Sequence, residues 1–274
     1  MKVISITGYK NSGKTDLTVK LVEALKQKGK VGTVKHMHAH RFDKKGSDTY
    51  RHMQAGADVV VGVTPYELVK LTNANNLKAA LDELANAGVD YAVVEGFKDS
   101  LLPKIAIGEV KAANIIKTLD PHGDLNIDEL VELVESQREW ITFNSLVNKV
   151  KKNRDIAKTG AIATFTGIVR GINKGVKIRE LQFEHYEEML DKTLEKIKQT
   201  LKQREGIVEV LIHHKSGVIP AGEDIIYIVV AGSHRKEVFK ALSDAIEMVK
   251  TQAPIWKKEV TEIGEYWVQE VERK

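Results

Sequence analysis

The segment Gly8-Tyr9-Lys10-Asn11-Ser12-Gly13-Lys14-Thr15 fits the pattern G-x-x-x-x-G-K-[ST] and follows directly on the apolar run Val3-Ile4-Ser5-Ile6. Few folds accommodate a buried strand that feeds a glycine-rich turn and then a helix. The arrangement aims backbone N–H groups and a helix N-terminus at one point, where a di- or triphosphate binds. Lys14 is expected to reach the outer phosphates and the Thr15 hydroxyl to ligate Mg²⁺. Gly8, Asn11, Ser12 and Gly13 complete the expected nucleotide cradle. A nucleotide domain of ordinary size accounts for about half of the 274 residues, so the remainder needs its own explanation.

The pattern downstream extends the same architecture. Leu17, Leu21, Val22 and Leu25 recur at helical spacing, and Gly29 is a helix stop. Residues 31–35, 58–63, 91–94 and 104–107 read as further strands, with a helical stretch at 77–87. Strands alternating with helices predict an α/β domain with a mostly parallel sheet, and ligands in such folds bind at the carboxyl ends of strands. Three clusters fall at such ends. Glu95 closes the 91–94 strand, where it could hold the Mg²⁺ water shell, orient a water, or be a solvated turn carboxylate; it replaces the more usual aspartate. His36, His38 and His40 share one face if extended, for a metal, for an anion, or for neither. Asp48 is a second candidate near the Mg²⁺, although Ser47 or Asp48 also reads as a helix N-cap.

Composition narrows the chemistry. Hydrophobic residues at 42% and charged residues at 29% describe a soluble globular protein, with no apolar stretch of membrane-spanning length and no signal-peptide layout, so a cytoplasmic location is expected. A net charge of +4 suits anionic small molecules or an acidic protein tail, and no nucleic-acid-binding motif is present. The chain has no cysteine. Disulfides, thiolate metal sites and cysteine nucleophiles are thereby excluded, and any sulfur chemistry must use sulfur carried by another molecule.

The turn-rich segment Asp120-Pro121-His122-Gly123-Asp124 precedes a helix that closes the first domain, and the pattern restarts near Trp140. Two domains are expected, 1–140 and 141–274. In the second, residues 160–169, 178–186, 208–213 and 225–230 read as strands, and 190–201 and 238–249 as amphipathic helices. Residues 256–260 and 266–268 read as a hairpin, which makes this domain α+β. Alternation puts Ile178 with Glu180, Gln182 and Glu184 on one face of its strand, and Leu181 with Phe183 on the other. The polar residues of interest are basic: Arg170 after a strand, His234 and Arg235 between strand and helix, Lys250 in the last turn of the helix that Pro254 stops, and Lys257 beside Trp256. A lysine beside an indole can gain basicity control through desolvation. A lysine in a last helical turn also simply complements the helix terminus.

Two family resemblances coincide with this division. Gly8 to Thr15, Val34-Lys35-His36, Gly46 to His52, Ala55-Gly56-Ala57 and Val94-Glu95-Gly96-Phe97-Lys98 occur in the order of the molybdopterin-guanine dinucleotide biosynthesis adaptor protein B family. That resemblance implies a P-loop domain that binds GTP with Mg²⁺, hydrolyses it weakly, and assists late steps of molybdenum cofactor assembly beside a molybdenum cofactor guanylyltransferase. The family's His-His pair is here His38-Ala39-His40, and no guanine-selecting N/T-K-x-D motif is present, so GTP rather than ATP rests on the resemblance.

Residues 160–170, Glu184-His185-Tyr186, Gly222-Glu223, His234-Arg235, and Lys250 through Pro254-Ile255-Trp256-Lys257-Lys258-Glu259 to Trp267-Val268 resemble the large, catalytic subunit of molybdopterin synthase. The resemblance implies sulfur insertion into cyclic pyranopterin monophosphate, with sulfur arriving as a thiocarboxylate on a small ubiquitin-like carrier subunit. It implies Lys250 at the thiocarboxylate, Lys257 at the substrate, and Arg170, His234 and Arg235 around the substrate phosphate. It also implies a homodimer of large subunits within a heterotetramer, and no prosthetic group. The resemblance departs at Lys215, where the family has arginine, and at Val271, which replaces a late arginine and has Arg273 nearby. A non-catalytic GTP-dependent scaffold, or a P-loop kinase acting on a pterin-like molecule, are the readings left beside a bifunctional fusion.

Overall fold

The computed structural model describes residues 1–37, 41–173, 175–185 and 187–268. His38, His40, Tyr186, Val271 and Arg273, all named above, lie outside the described residues. The chain divides into two compact units, Met1–Ser145 and Leu146–Lys274.

The first unit runs β1 (Lys2–Gly8), α1 (Lys14–Lys26), β2 (Val31–Lys35), α2 (Asp48–Gln54), β3 (Val59–Val63), β4 (Leu68–Thr72), α3 (Leu77–Asn86), β5 (Tyr91–Glu95), β6 (Lys104–Ile107), β7 (Ile115–Leu119) and α4 (Ile127–Glu135). Its sheet has the order β2-β5-β1-β6-β7, every neighbouring pair parallel. Both faces of the central strands are covered, which is why they read as unbroken apolar runs. Ile4, Ile6, Val93 and Ile105 pack on one side against Leu17, Leu21 and Leu25 of α1 and Leu130, Val131 and Val134 of α4. Val3, Ala92 and Val94 face the opposite side, against Leu81 and Ala85 of α3.

One expected strand of this sheet is not in it. Residues 59–63 pair antiparallel with β4 in a separate two-stranded ribbon, from Val59 opposite Thr72 to Val63 opposite Leu68. Thr64 N–H donates to Glu67 O at 2.9 Å and closes the ribbon's turn, so the apolar run finds its partner locally. The sheet instead takes in β7, which the sequence reading lacked. Lys104, at the start of β6, is fully buried and donates to the carbonyls of Ser100 and of Leu102 (3.0 Å). Burial lowers its pKa from the usual lysine value, partly offset by Asp99.

Helix α5 (Phe143–Lys151) contains the division point. The second unit then runs β8 (Ala161–Ile168), β9 (Ile172–Asn173), β10 (Val176–His185), α6 (Glu187–Lys202), β11 (Ile207–His214), β12 (Gly217–Pro220), β13 (Asp224–Gly232), α7 (Arg235–Gln252), β14 (Ile255–Thr261) and β15 (Glu265–Trp267). It is α+β, with one antiparallel sheet β11-β13-β8 and another β12-β10-β14-β15. Helices α6 and α7 bury Leu194, Ile197, Leu201, Val238, Ala241 and Ala245 in one core with Val210, Ile228 and Val230 of the first sheet. A second core gathers Val169, Ile178, Leu181, Phe183 and Ile219.

Ile178 therefore shares a face with Leu181 and Phe183, against the simple alternation. The register explains it: Ile178 lies opposite Thr261 and Glu180 opposite Val260, so two steps along β10 match one along β14. This β-bulge inserts one residue and restores Ile178 to the buried face.

Candidate functional site

The phosphate loop joins the carboxyl end of β1, in the middle of the parallel sheet, to α1. Asn11 (φ 61°) and Gly13 (φ 85°) adopt left-handed backbone conformations, and Gly13 caps α1 without any side-chain hydrogen bond. The first N–H groups of the helix are left for a ligand. Lys14 Nζ donates to the carbonyls of Gly8 (3.1 Å) and Tyr9. Ser12 Oγ is buried and has no hydrogen-bond partner among the described residues. A cleft of about 390 Å³ is lined by residues 10–16 and Glu95.

Glu95, at the end of β5, is 8% exposed. Thr15 Oγ1 donates to its carboxylate, at 3.2 Å from each oxygen. Lys35 at the end of β2 stands in register with Glu95, and its ammonium lies 2.9 Å from Glu95 Oε1 and 3.4 Å from Thr15 Oγ1. Sequence reasoning named Thr15 and Glu95 but gave Lys35 no role; the signal that finds it is the strand register, which places two chain-distant residues side by side. Behind Glu95, Gly96 (φ 99°) takes the Ile6 carbonyl at 3.0 Å, and a Cβ there would come within 2.8 Å of His36 Cβ. His36 stacks on Phe97, with ring centroids 4.3 Å apart.

Asp48 is not brought to this cluster. It opens α2 with its side chain 89% exposed and its carboxylate 3.8 Å from Arg51. Ser47 is the N-cap, accepting from Tyr50 N–H at 3.1 Å. Among the described residues, no group of three or more His, Asp or Glu side chains could hold a metal ion unaided.

In the second unit, Lys257 is half-buried on β14 opposite Phe183, on the same face as Leu181 and Thr261. Phe183 meets the edge of the His214 ring, at 5.0 Å between centroids. Lys250 occupies the last turn of α7, exposed, with Nζ 3.0 Å from Glu247. The two lysines flank the short passage from helix to strand through Ala253 and Pro254. Lys215 is engaged, its Nζ 5.3 Å from the centre of the Tyr227 ring. Arg170 is exposed just past β8.

His234 and Arg235 are exposed at the start of α7, with His234 as its N-cap. They stand at the far end of the helix from Lys250: fifteen residues separate Arg235 from Lys250, about 22 Å along the axis. Within one chain, His234 and Arg235 therefore do not form one cluster with Lys250.

Comparison with known proteins agrees with this two-part architecture. Residues 3–123 match the family described as molybdopterin guanine dinucleotide synthesis protein B, and residues 136–252 match the MoaE protein family. The probable molybdopterin synthase of Haloferax volcanii is 32% identical over 271 residues, covering 98% of this chain and 99% of the relative. The molybdopterin synthase catalytic subunit of Pyrococcus abyssi is 36% identical over 146 residues, 53% of this chain and 85% of its own. A solved molybdopterin synthase from Staphylococcus aureus is 36% identical, covering 41% of this chain and 82% of that one, with a TM-score of 0.39. Among the described residues, no helix is long and apolar enough to cross a membrane. With a relative aligned over almost its whole length and each unit matched by its own family, this chain belongs to the molybdopterin synthase family, with a unit like molybdopterin guanine dinucleotide synthesis protein B preceding a MoaE-like one.

Proposed function

We infer that the second unit transfers sulfur from the thiocarboxylated C-terminus of a small ubiquitin-like carrier to cyclic pyranopterin monophosphate, and that the first unit binds and weakly hydrolyses GTP with Mg²⁺. The observation that carries the first part is the lysine pair. Lys257 is half-buried against an apolar face, and Lys250 is solvent-facing at the neighbouring helix end. An exposed lysine suits an incoming protein tail, and a half-buried one suits a small substrate held beside an aromatic ring. Lys250 meets the thiocarboxylate. As sulfur bonds to the substrate carbon and displaces an oxygen substituent from it, water adds at the acyl carbon and the acyl–sulfur bond breaks, so the carrier leaves with a C-terminal carboxylate, a release that the Lys250 amine supports. Lys257 binds substrate and moves its proton. Arg170, His234 and Arg235 hold the substrate phosphate, where fixed cations also stabilise developing negative charge.

The length of α7 adds a requirement. Its two ends are too far apart to serve one pterin, so His234 and Arg235 act with Lys250 and Lys257 of a second copy, in a two-fold dimer that makes two equivalent sites.

For the first unit, the residues fit a Mg²⁺-nucleotide. Ser12 Oγ is buried with no hydrogen-bond partner among the described residues, the cap of α1 leaves N–H groups available, and Thr15 lies beside the carboxylate of Glu95. Thr15 and Glu95 would hold the metal, directly or through water, and Mg²⁺ would neutralise phosphate charge there. Lys14 must exchange its loop carbonyls for phosphate oxygens. GTP as the base-specific partner follows the family of residues 3–123.

A single-turnover assay tests the reading. The chain is mixed with cyclic pyranopterin monophosphate and thiocarboxylated carrier, with and without GTP, and the dithiolene product is measured. Product from wild type and none from Lys250→Ala is expected. No product, with carrier binding demonstrated, would leave the chain a GTP-dependent scaffold.

A further inference from the structure

We propose that Lys35 is a displaceable counter-cation: it neutralises Glu95 while no metal is bound, and passes to the terminal phosphate when a Mg²⁺-nucleoside triphosphate occupies the loop. The inference rests on the nucleotide-binding role given to the first unit, and adds how that site distinguishes a triphosphate from a diphosphate.

Three observations carry it. First, the Lys35 ammonium contacts the two side chains to which P-loop chemistry assigns the divalent cation, at 2.9 Å from Glu95 and 3.4 Å from Thr15. The same oxygens cannot serve both cations, and like charges so placed repel. Second, burial is asymmetric. The Glu95 side chain is 11% exposed, whereas that of Lys35 is 51% exposed. A buried carboxylate left without a cation is costly, so it needs a counter-charge in every state. The lysine, with a solvated four-carbon stem, withdraws at little cost. Third, the register fixes where it can go. Lys35 ends β2 and Glu95 ends β5, both at the carboxyl edge of the sheet that carries the phosphate loop on β1. Once displaced there, the nearest strong anion is the outermost phosphate.

Lys14 already serves the phosphates in every bound state, so it does not report their number. Lys35 has no anion to receive it when a diphosphate is bound with Mg²⁺, and gains one only with a triphosphate. Its transfer therefore adds affinity for the triphosphate form alone.

The test uses the full chain and two readouts other than turnover. Mn²⁺ binding to the nucleotide-free protein is followed by electron paramagnetic resonance, and fluorescent GTP and GDP analogues are titrated in Mg²⁺. For Lys35→Gln we expect Mn²⁺ to bind roughly tenfold more tightly, because its competitor is gone, and the GTP-to-GDP affinity ratio to fall roughly tenfold, with GDP in Mg²⁺ binding more tightly for the same reason and GTP binding about as before because it also loses the transferred cation. Glu95→Gln, which removes the anchor while keeping the shape, is expected to abolish the effect of Lys35→Gln on Mn²⁺. Unchanged Mn²⁺ affinity and an unchanged ratio in Lys35→Gln overturn the proposal while leaving nucleotide binding intact. Failure of the wild type to bind either analogue overturns the nucleotide role itself.

Discussion

The most demanding prediction concerns two variants that are each inactive yet restore one another. Lys250→Ala removes the group at the C-terminal end of α7, and Arg235→Ala one at its start. Lys250 Nζ reaches back only to the level of Glu247. Twelve residues remain from there to Arg235, about 18 Å, and the Arg235 side chain leans away toward the helix N-terminus. That gap exceeds the length of a tricyclic pterin, so the proposed function requires each site to draw its lysine and its arginine from different copies. Each variant alone is expected to lose about 100-fold or more in single-turnover rate. Random pairing of the two makes half of the dimers mixed, and each mixed dimer has one site with both groups intact. Co-expression should therefore recover about one quarter of wild-type activity. The assay is dithiolene formation on material carrying two different affinity tags, purified through both in sequence, where recovery rises to about one half. Verified mixed dimers no more active than the separate variants would refute the shared site.

Three further outcomes follow from the packing. Ile228 is fully buried between two helices and the sheet, so Ile228→Ala should cost about 2–5 kcal/mol in urea unfolding of the second unit's transition; a loss under 1 kcal/mol would contradict that core. Gly96→Ala places a Cβ at φ 99° and against His36, and should cost about 1–3 kcal/mol and weaken nucleotide binding by displacing Glu95, read by thermal melting and analogue titration. Lys104 has a pKa lowered in the fold by burial. Between that value and 10.5 the unfolded chain holds more protons than the native one, so stability rises with pH across this window. The stability of wild type relative to Lys104→Met should accordingly increase as pH is raised toward 10.5; parallel curves would show that Lys104 ionises normally.

What was legible in the sequence depended on whether a segment answered to one neighbour or to several. The phosphate loop and the strands 91–94 and 104–107 were readable because burial on both faces leaves an uninterrupted apolar run. β7, with Lys117 in its middle and alternate residues exposed, carries half of that signal and was missed. Residues 59–63 looked the same as a sheet strand, since composition says nothing about which partner wins; the turn at Thr64 to Glu67 decided it. At the site, Thr15 and Glu95 followed from motif position, whereas Lys35 required the register of β2 on β5. Asp48 was attractive by type and proximity in sequence but belongs to an exposed helix end. The distance between Arg235 and Lys250 was present in the sequence as a residue count, and became meaningful once the intervening segment proved to be one helix.

The bulge in β10 makes that strand behave as two reading frames joined at Arg179. Upstream, Ile178 answers to the apolar interior; downstream, Phe183 fixes which of the adjacent residues Lys257 and Lys258 looks inward, and Lys258 is left to pair with Glu265 at 2.8 Å. Because the extra residue absorbs the mismatch, sequence drift at the Val176 end need not propagate to the lysine. Deleting Arg179 would remove the bulge and keep both frames, because Ile178 would then lie two positions from Leu181 and share its face by plain alternation; an insertion or deletion beyond Leu181 has no such buffer and would make Lys257 and Lys258 exchange faces.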